Sequence, residues 1–104
     1  MTKQFQLISL GKTVDGSDYY KLETDFGKVI FAVGEDSICV HAIWSNKPKG
    51  MKEMLNYIVN KFNKNKIIFW EPSIELLSKL KNITGFWEDE RFGLLVEIEW
   101  KNGT

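Results

Sequence analysis

Hydrophobic residues in the first 44 positions occur in short runs that are separated by polar, glycine-containing segments. Runs rich in β-branched and aromatic residues are typical of strands, and brief polar gaps between them are typical of hairpin turns. The run at 28–33 is almost continuously apolar, which predicts a central strand. The pattern therefore predicts an antiparallel meander with strands at 5–10, 19–24, 28–33 and 37–44.

The spacing of apolar residues changes after the polar loop at 45–50. Apolar residues then recur every three or four positions from Met51 to Phe62, which is the period of one helix face. A short apolar run at 66–70 predicts a buried strand. Because a helix connects it to the strand at 37–44, we expect the two strands to be parallel.

A second helix and two final strands complete the pattern. Pro72 suits the first turn of this helix, and Gly85 suits the region of its C-terminal cap. The tail alternates between apolar and polar residues, which predicts strands at 86–89 and 94–100. The apolar face of the second helix is expected to hold Ile74, Leu76, Leu77 and Leu80.

Together these elements predict one α+β domain over residues 1–104, in which a mixed, mainly antiparallel, curled sheet packs against two helices. A chain of 104 residues fits a single domain. Its hydrophobic content of 43% excludes a disordered chain, and its four tryptophans supply large buried areas to a thin core.

The charge balance narrows the classes of partner. Lys+Arg and Asp+Glu both number 14, which argues against a nucleic-acid-binding protein because such domains usually carry a basic excess. No apolar run approaches the length of a membrane span. The single Cys39 cannot form an intrachain disulfide, and one Cys with one His does not make a zinc site. We therefore expect a soluble, cytoplasmic protein with no metal.

One loop has the residues of an anion site. Residues 47–52 read Lys-Pro-Lys-Gly-Met-Lys and lie between a predicted strand and the start of a predicted helix. Free N–H groups at a helix N-terminus, together with the lysine charges, attract phosphate, and Gly50 would let it approach closely. The alternative interpretation is a solvated loop with a turn glycine.

The order of elements around this loop resembles the GCN5-related N-acetyltransferase (GNAT) superfamily. In that family the loop reads Gln/Arg-x-x-Gly-x-Gly/Ala, and its backbone amides hold the pyrophosphate of acetyl-CoA. Residues 47–52 align with this motif, and Gly85-Phe86 aligns with a Gly-Phe that precedes the family's last two strands. The likeness spans about residues 19–100. It implies an acyl-CoA N-acyltransferase-like fold, acetyl-CoA as cofactor and an amine as acceptor.

The resemblance also implies roles for individual residues. The family's strand before the loop splays from the next strand, and its backbone pairs with the pantetheine arm of the coenzyme. His41 lies on this strand and is the candidate base, a role that suits its ordinary pKa of about 6.5. A backbone N–H near Ile43 or Trp44 would stabilise the oxyanion. The implied cofactor-binding residues are Ile43, Trp44, Ser45, Lys47, Lys49, Gly50, Met51 and Lys52.

The chain departs from the family pattern in four ways. Lys47 replaces Gln or Arg, and Lys52 replaces Gly or Ala. Lys81 stands where the family often has a tyrosine that protonates the departing thiolate, and no tyrosine lies between Trp70 and Gly85. The two helices that the family usually has between its first strands are missing. The resemblance, with these departures, implies a minimal or degenerate member of the family.

Several of these residues have purely structural interpretations as well. His41 can be a half-buried strand residue with a local hydrogen bond, and Cys39 is better interpreted as a small core residue than as a nucleophile. The acidic run at 88–90 can recognise a cationic amine at the acceptor site, or it can be a solvated turn.

Two other functions compete with acetyl transfer. The domain can be a catalytically inactive, GNAT-like protein-binding module of phage or mobile-element origin. That function predicts an exposed aromatic patch including Trp87, Phe92 or Trp100. A homodimer through the last strands is a further expectation. The lysine-rich segment at 47–66 is the basis for a polyanion binder, against which the neutral charge balance argues.

Overall fold

The structure, a computed structural model, describes residues 5–101 and folds them into one seven-stranded sheet with two helices. The spatial order of the strands is β1-β2-β3-β4-β5-β7-β6. Among the strand pairs of these residues, β4 and β5 are parallel and the others are antiparallel. The α+β class, the mainly antiparallel sheet and the parallel pair are therefore confirmed. The elements are β1 (Gln6–Lys12), β2 (Asp18–Glu23), β3 (Gly27–Val33), β4 (Ile38–Ser45), α1 (Gly50–Phe62), β5 (Lys66–Trp70), α2 (Ile74–Lys79), β6 (Ile83–Asp89) and β7 (Gly93–Glu99).

The core lies between α1 and the central strands. Helix α1 contacts β3 and β4 and buries the apolar face that the three- and four-residue spacing predicts. Burial of such a face, rather than helix propensity alone, is what holds a helix of this length. Residues of α2 reach the edge of the same core through Leu76, Leu77 and Leu80. The helix α1 residues in the core are Met54, Leu55, Ile58 and Val59.

The parallel pairing of β4 with β5 is short. It covers three residues of each strand, from Ile38↔Ile67 to Val40↔Phe69. Strand β4 continues to Ser45 and stays paired with β3, whereas β5 stays paired with β7. The two strands therefore separate after Val40, and the sheet opens there.

An irregularity in β4 occurs at the same point. The β3–β4 register shifts so that Phe31 pairs with Val40 and Ile30 pairs with Ala42, which leaves His41 as an extra residue on β4. Opposed residues of an antiparallel pair share a face. Ile43 consequently lies on the core face opposite Val29, while Cys39 lies on the other face. A regular strand alternation, which would put Cys39 and Ile43 on one face, is wrong for β4 because the bulge at His41 reverses the phase.

Three local expectations in the α2 region were also wrong. Pro72 precedes the helix instead of lying in its first turn, and the N-cap is Ser73, whose Oγ accepts a hydrogen bond from Leu76 N. Gly85 does not cap the helix, because it lies inside β6 at a register shift. Ile74 is 86% exposed and does not join the apolar face. A six-residue helix with no buried residue leaves little periodicity for a sequence pattern to detect.

Candidate functional site

The separation of β4 from β5 forms a cleft of about 430 Å³. We call it the β4–β5 cleft. One wall is the part of β4 that has lost its β5 partner, from His41 to Ser45. The other wall is the end of β5 and the turn into α2, including Trp70 and Glu71. Among the described residues, no strand pairs with the β5-facing edge of β4 beyond Val40, so backbone groups there can bind a ligand.

A second cavity, of about 460 Å³, adjoins the cleft. The start of α1, the end of α2 and the end of β7 enclose it, and Trp100 and Glu99 line its far side. We call it the lysine basin. The two cavities lie side by side, since they share four lining residues: Ser45, Met51, Leu76 and Lys79. Five lysines line the basin: Lys47, Lys49, Lys52, Lys79 and Lys81.

The N-terminus of α1 opens toward the basin. Its N-cap residue, Lys49, has left-handed backbone angles with φ 62° and makes no side-chain cap. The Gly50 N–H donates to the Lys47 carbonyl oxygen at 3.0 Å. Within residues 5–101, the N–H groups of Met51 and Lys52 have no hydrogen-bond partner. Unsatisfied first-turn donors with a positive helix end favour an anion.

Gly50 has a packing role that the motif did not reveal. The residue is buried, and a Cβ added to it would overlap Ser45 Oγ and lie 2.9 Å from Phe26 Cδ2. Ser45 Oγ is itself fixed by the loop, since it accepts from Lys47 N at 3.2 Å and donates to Lys47 O at 3.1 Å. Only glycine therefore lets the start of α1 approach the end of β4 this closely.

Lys47 is the loop lysine whose charge is already engaged. Its Nζ lies 3.3 Å from Glu53 Oε1 and 4.7 Å from the centroid of the Phe26 ring. An ion pair at the first turn of α1 reduces the charge that Lys47 can offer to a ligand. Lys49, Lys52, Lys79 and Lys81 are accordingly the better candidates for anion contacts.

His41 lies in the cleft wall as part of an aromatic stack. Its ring is 3.9 Å from Trp70, centroid to centroid, with 20° between the planes, and 5.2 Å from Tyr19. Nε2 is buried and has no hydrogen-bond partner among the described residues, and His41 is one of the residues that line the cleft. Burial lowers the pKa of His41, and Asp15 partly opposes this change. The imidazole is therefore held neutral, the form that accepts a proton.

Cys39 lies in β4, two residues after Ser37, and is half-buried. Burial raises the pKa of its thiol, an effect that a hydrogen bond with Ser37 partly offsets. A protonated thiol is a poor nucleophile, so a structural role for Cys39 agrees with its surroundings.

The remaining sequence-predicted groups are dispersed. Asp89 Oδ1 accepts from Arg91 N at 2.7 Å and from Phe92 N at 3.2 Å, so the acidic run forms a β6–β7 turn and does not line the cleft. Lys64 donates to the Glu35 carbonyl at 2.7 Å, far along the chain from the loop. Of the six lysines in the segment 47–66, only Lys47, Lys49 and Lys52 line the basin.

Sequence reasoning missed the residues that α2 and its entry turn bring to the site. Glu71, Glu75 and Lys79 line the cleft, and Lys79 also lines the basin. One signal was available, because ligands bind beyond the carboxyl ends of parallel strands and Glu71 directly follows β5. Nothing in the spacing of Glu75 or Lys79 indicates which way they face.

Comparison with known proteins finds no matching family model and no curated protein similar in sequence. Neither described helix is long and apolar enough to cross a membrane. Within residues 5–101, no three His, Cys, Asp or Glu side chains are grouped to hold a metal ion. The arguments about function below therefore rest on the cleft, the basin and the residues that line them.

Proposed function

We propose that the chain binds acetyl-CoA and transfers its acetyl group to an amine, as a minimal GNAT-like protein. One observation carries the proposal: the β4–β5 cleft adjoins the lysine basin at the N-terminus of α1, and the two share four lining residues. A cleft beside a cationic pocket suits a ligand with an uncharged thioester arm and a phosphate-rich end.

The lining residues fit the two ends of such a ligand. Met51 and Leu76 supply apolar surface where the cleft meets the basin, and the unpaired edge of β4 supplies backbone groups for an amide-containing arm. The first-turn N–H groups of α1 and the basin lysines supply donors and charge for phosphates. Lys52, which departs from the family motif, lines the basin as one of these cations.

The sheet supports the same proposal at the level of fold. The end of β4–β5 pairing at Val40 is in keeping with the splay that the resemblance implies for the coenzyme strand. Five residues, 13–17, connect β1 to β2, so the chain lacks the family's usual helices there. We accordingly propose an acyl-CoA N-acyltransferase-like fold, and with it the cytoplasmic location expected from the lone cysteine.

The reaction would be a direct transfer within the cleft. The neutral amine nitrogen forms a bond to the thioester carbonyl carbon, the carbon–sulfur bond breaks, and the thiolate leaves. The His41 imidazole takes the proton that the amine loses, and a backbone N–H of Ile43 or Trp44 stabilises the charge on oxygen. Because no tyrosine lies between Trp70 and Gly85, the thiolate takes its proton from water.

Thermal-shift titration with acetyl-CoA and CoA, with ATP as an anion control, tests the coenzyme site. A ligand at 100 times its Kd adds about 2.7 kcal/mol, and each kcal/mol raises Tm by roughly 4–8 °C at this chain length. We expect a shift with the CoA species and little with ATP. The Lys49→Ala, Lys52→Ala double variant should lose most of the shift, whereas Lys61→Ala, Lys66→Ala should keep it.

The control pair removes the same charge from exposed positions that do not line the basin. No shift at millimolar acetyl-CoA would remove the proposal. An equal shift with ATP would indicate that the basin binds polyanions in general and does not recognise the coenzyme. Acetyl transfer itself is then tested by release of CoA in the presence of an amine.

A protein-binding module is the second candidate, and an edge strand favours it. Among the described strands, β6 pairs only with β7, and it exposes 55% of Phe86 and 39% of Trp87. These two residues oppose Val96 and Leu95, so they lie on opposite faces of the sheet and share only the free edge. Phe92 and Trp100, the other members of the expected patch, are half-buried; Trp100 Nε1 donates to Asn56 at 2.6 Å.

A free edge can add a partner strand or a second copy of the chain. Selection from a displayed random-peptide library, with the Phe86→Lys, Trp87→Lys variant as counter-target, tests this candidate. Peptides that bind the wild type and not the variant would support it. Sedimentation equilibrium of both proteins would detect a homodimer through the same edge, and a monomer that selects no peptide would remove the candidate.

A further inference from the structure

Both helices lie on one face of the sheet. Helix α1 packs on the face that carries Phe31, Val40 and Phe69, and the leucines of α2 join the same core cluster. Within residues 5–101, no helix covers the opposite face, which we call the open face. Opposed residues of paired strands share a face. The register therefore places one row of residues on the open face across six strands: Tyr19, Ala32, Cys39, Ile68, Glu97 and Gly85.

The centre of the open face is apolar. Strands that are buried on both faces have nearly continuous apolar runs, and β3, β4 and β5 have such runs although a helix covers only one of their faces. Six uncharged residues of these strands lie on the open face: Ile30, Ala32, Cys39, Ala42, Ile68 and Trp70. Two exposed tryptophans, Trp44 and Trp87, extend the same surface. An apolar sheet face without a covering element is typical of an interaction surface.

Charged side chains lie at the two margins of the open face. Three lie on the margin formed by β2 and β3: Lys21, Glu23 and Lys28. Three others lie on the margin formed by β5 and β7: Lys66, Glu97 and Glu99. Two lysines with one glutamate make the first margin positive, and two glutamates with one lysine make the second margin negative. An apolar centre with a charged rim is the usual anatomy of a protein–protein interface.

A second copy of the chain complements both the apolar centre and the two margins. In a twofold dimer each copy presents the same surface, and sheets that pack face to face keep their strands within about 30° of each other. A twofold axis parallel to the strands brings the positive margin of one copy against the negative margin of the other. An axis across the strands would instead oppose like margins. The molecule measures 44 × 31 × 22 Å, so a broad face has room for the about 800 Å² per partner of a stable interface.

We propose that the chain forms a twofold homodimer in which the open faces of two copies pack together. The axis runs along β4, which lies midway between β2 and β7 in the strand order, so that Lys21 of each copy lies near Glu97 of the other. The second copy covers the cleft where His41 and Trp70 line it. Ligands then enter from the helix face, where Met51 lines both the cleft and the basin. The dimer does not depend on the proposed acetyl transfer.

Sedimentation equilibrium over a range of protein concentrations measures the dimer, and two charge reversals test its geometry. Lys21→Glu or Glu97→Lys alone opposes like charges at both twofold-related contacts, so we expect either change to raise the dimer Kd at least tenfold. An equimolar mixture of the two variants restores opposite charges at both contacts. We expect this mixture to associate with a Kd within threefold of the wild-type value. Urea unfolding of each variant verifies that it is folded.

Glu88→Lys and Phe86→Lys are the controls. Glu88 and Phe86 oppose Leu94 and Val96, so both lie on the helix side of β6. Glu88→Lys makes the same charge change as Glu97→Lys, and we expect both controls to keep the wild-type Kd. A monomeric wild type, or a mixture that associates no more than its components, would overturn the proposal. Loss of the dimer in Phe86→Lys alone would also overturn it and would locate the contact at the β6 edge.

Discussion

The imidazole of His41 stacks on the indole of Trp70, with 3.9 Å between ring centroids and 20° between ring planes. His41 and Trp70 directly follow Val40 and Phe69, the last residues that pair between β4 and β5. The stack therefore lies where the β4–β5 cleft begins. His41 is also the extra residue of the β4 bulge. Its Nε2 is buried without a hydrogen-bond partner among the described residues, so protonation of His41 places an unsatisfied charge beside the stack.

Acidification should destabilise the protein through His41. Burial lowers the pKa of His41 in the folded state below the ordinary 6.5, so between these two values the unfolded chain binds more protons. The contribution of His41 to the free energy of unfolding is therefore fully present above pH 6.5. It decreases as the pH falls below 6.5 and is lost completely below the pKa of the folded state. Urea unfolding at pH 7.5, 6.5 and 5.5 measures the effect.

His41→Phe provides the control, because it keeps a ring against Trp70 and removes the titrating group. His41 is the only histidine, so the variant should have a flatter pH dependence over this interval. Identical pH profiles for the two proteins would contradict the buried, neutral imidazole.

Replacement of Gly50 by alanine should destabilise the protein, although alanine is the better helix former. Helix propensity favours alanine by about 1 kcal/mol, but the added methyl overlaps Ser45 Oγ and presses on Phe26. Overpacking of this kind costs about 1–3 kcal/mol, and we expect a net loss measurable by urea unfolding. Ser45→Ala should make the double variant less unstable than the sum of the two single changes. Strict additivity would mean that the two residues are not in contact.

Lys49→Gly should stabilise the protein, by up to about 1 kcal/mol. Lys49 has φ 62°, a conformation that glycine adopts without the penalty paid by an L-residue. Lys61→Gly is the matched control, since Lys61 lies in the last turn of α1, where glycine costs about 1 kcal/mol. The change to glycine should thus raise the denaturant midpoint at Lys49 and lower it at Lys61. Destabilisation at both would contradict the left-handed N-cap.

The Cys39 thiol should react slowly in the folded protein. Burial raises its pKa, which reduces the thiolate fraction at neutral pH, and β4 restricts access to the sulfur. We expect alkylation by iodoacetamide at pH 7.5 to be at least tenfold slower than in protein unfolded with urea. Mass spectrometry at timed intervals measures both rates, and equal rates would indicate an exposed thiol.

Much of the fold could be predicted because the buried face of a helix or strand requires apolar residues at regular spacing. The three- and four-residue spacing from Met51 to Phe62 predicted α1, and the continuous run at 28–33 predicted a central strand. The short helix α2 was poorly predicted, since it has no buried residue and its capping depends on Ser73 and not on Pro72. For the candidate site, the sequence pointed to the loop at 47–52, which lies at a cavity. The sequence did not indicate that Lys47 forms an ion pair with Glu53.

Local sequence patterns predicted most of the elements, their order and the hypothesis of an anion site at the start of α1, because each depends on residues within a few positions of one another. The three-dimensional structure was needed to show that β4–β5 pairing ends at Val40 and that Lys79 and Lys81 line the same basin as Lys49. It alone decided that Glu71 and Trp44 line one cleft. These relationships join residues about 30 positions apart, and their geometry depends on how helices and strands pack, which no local period encodes.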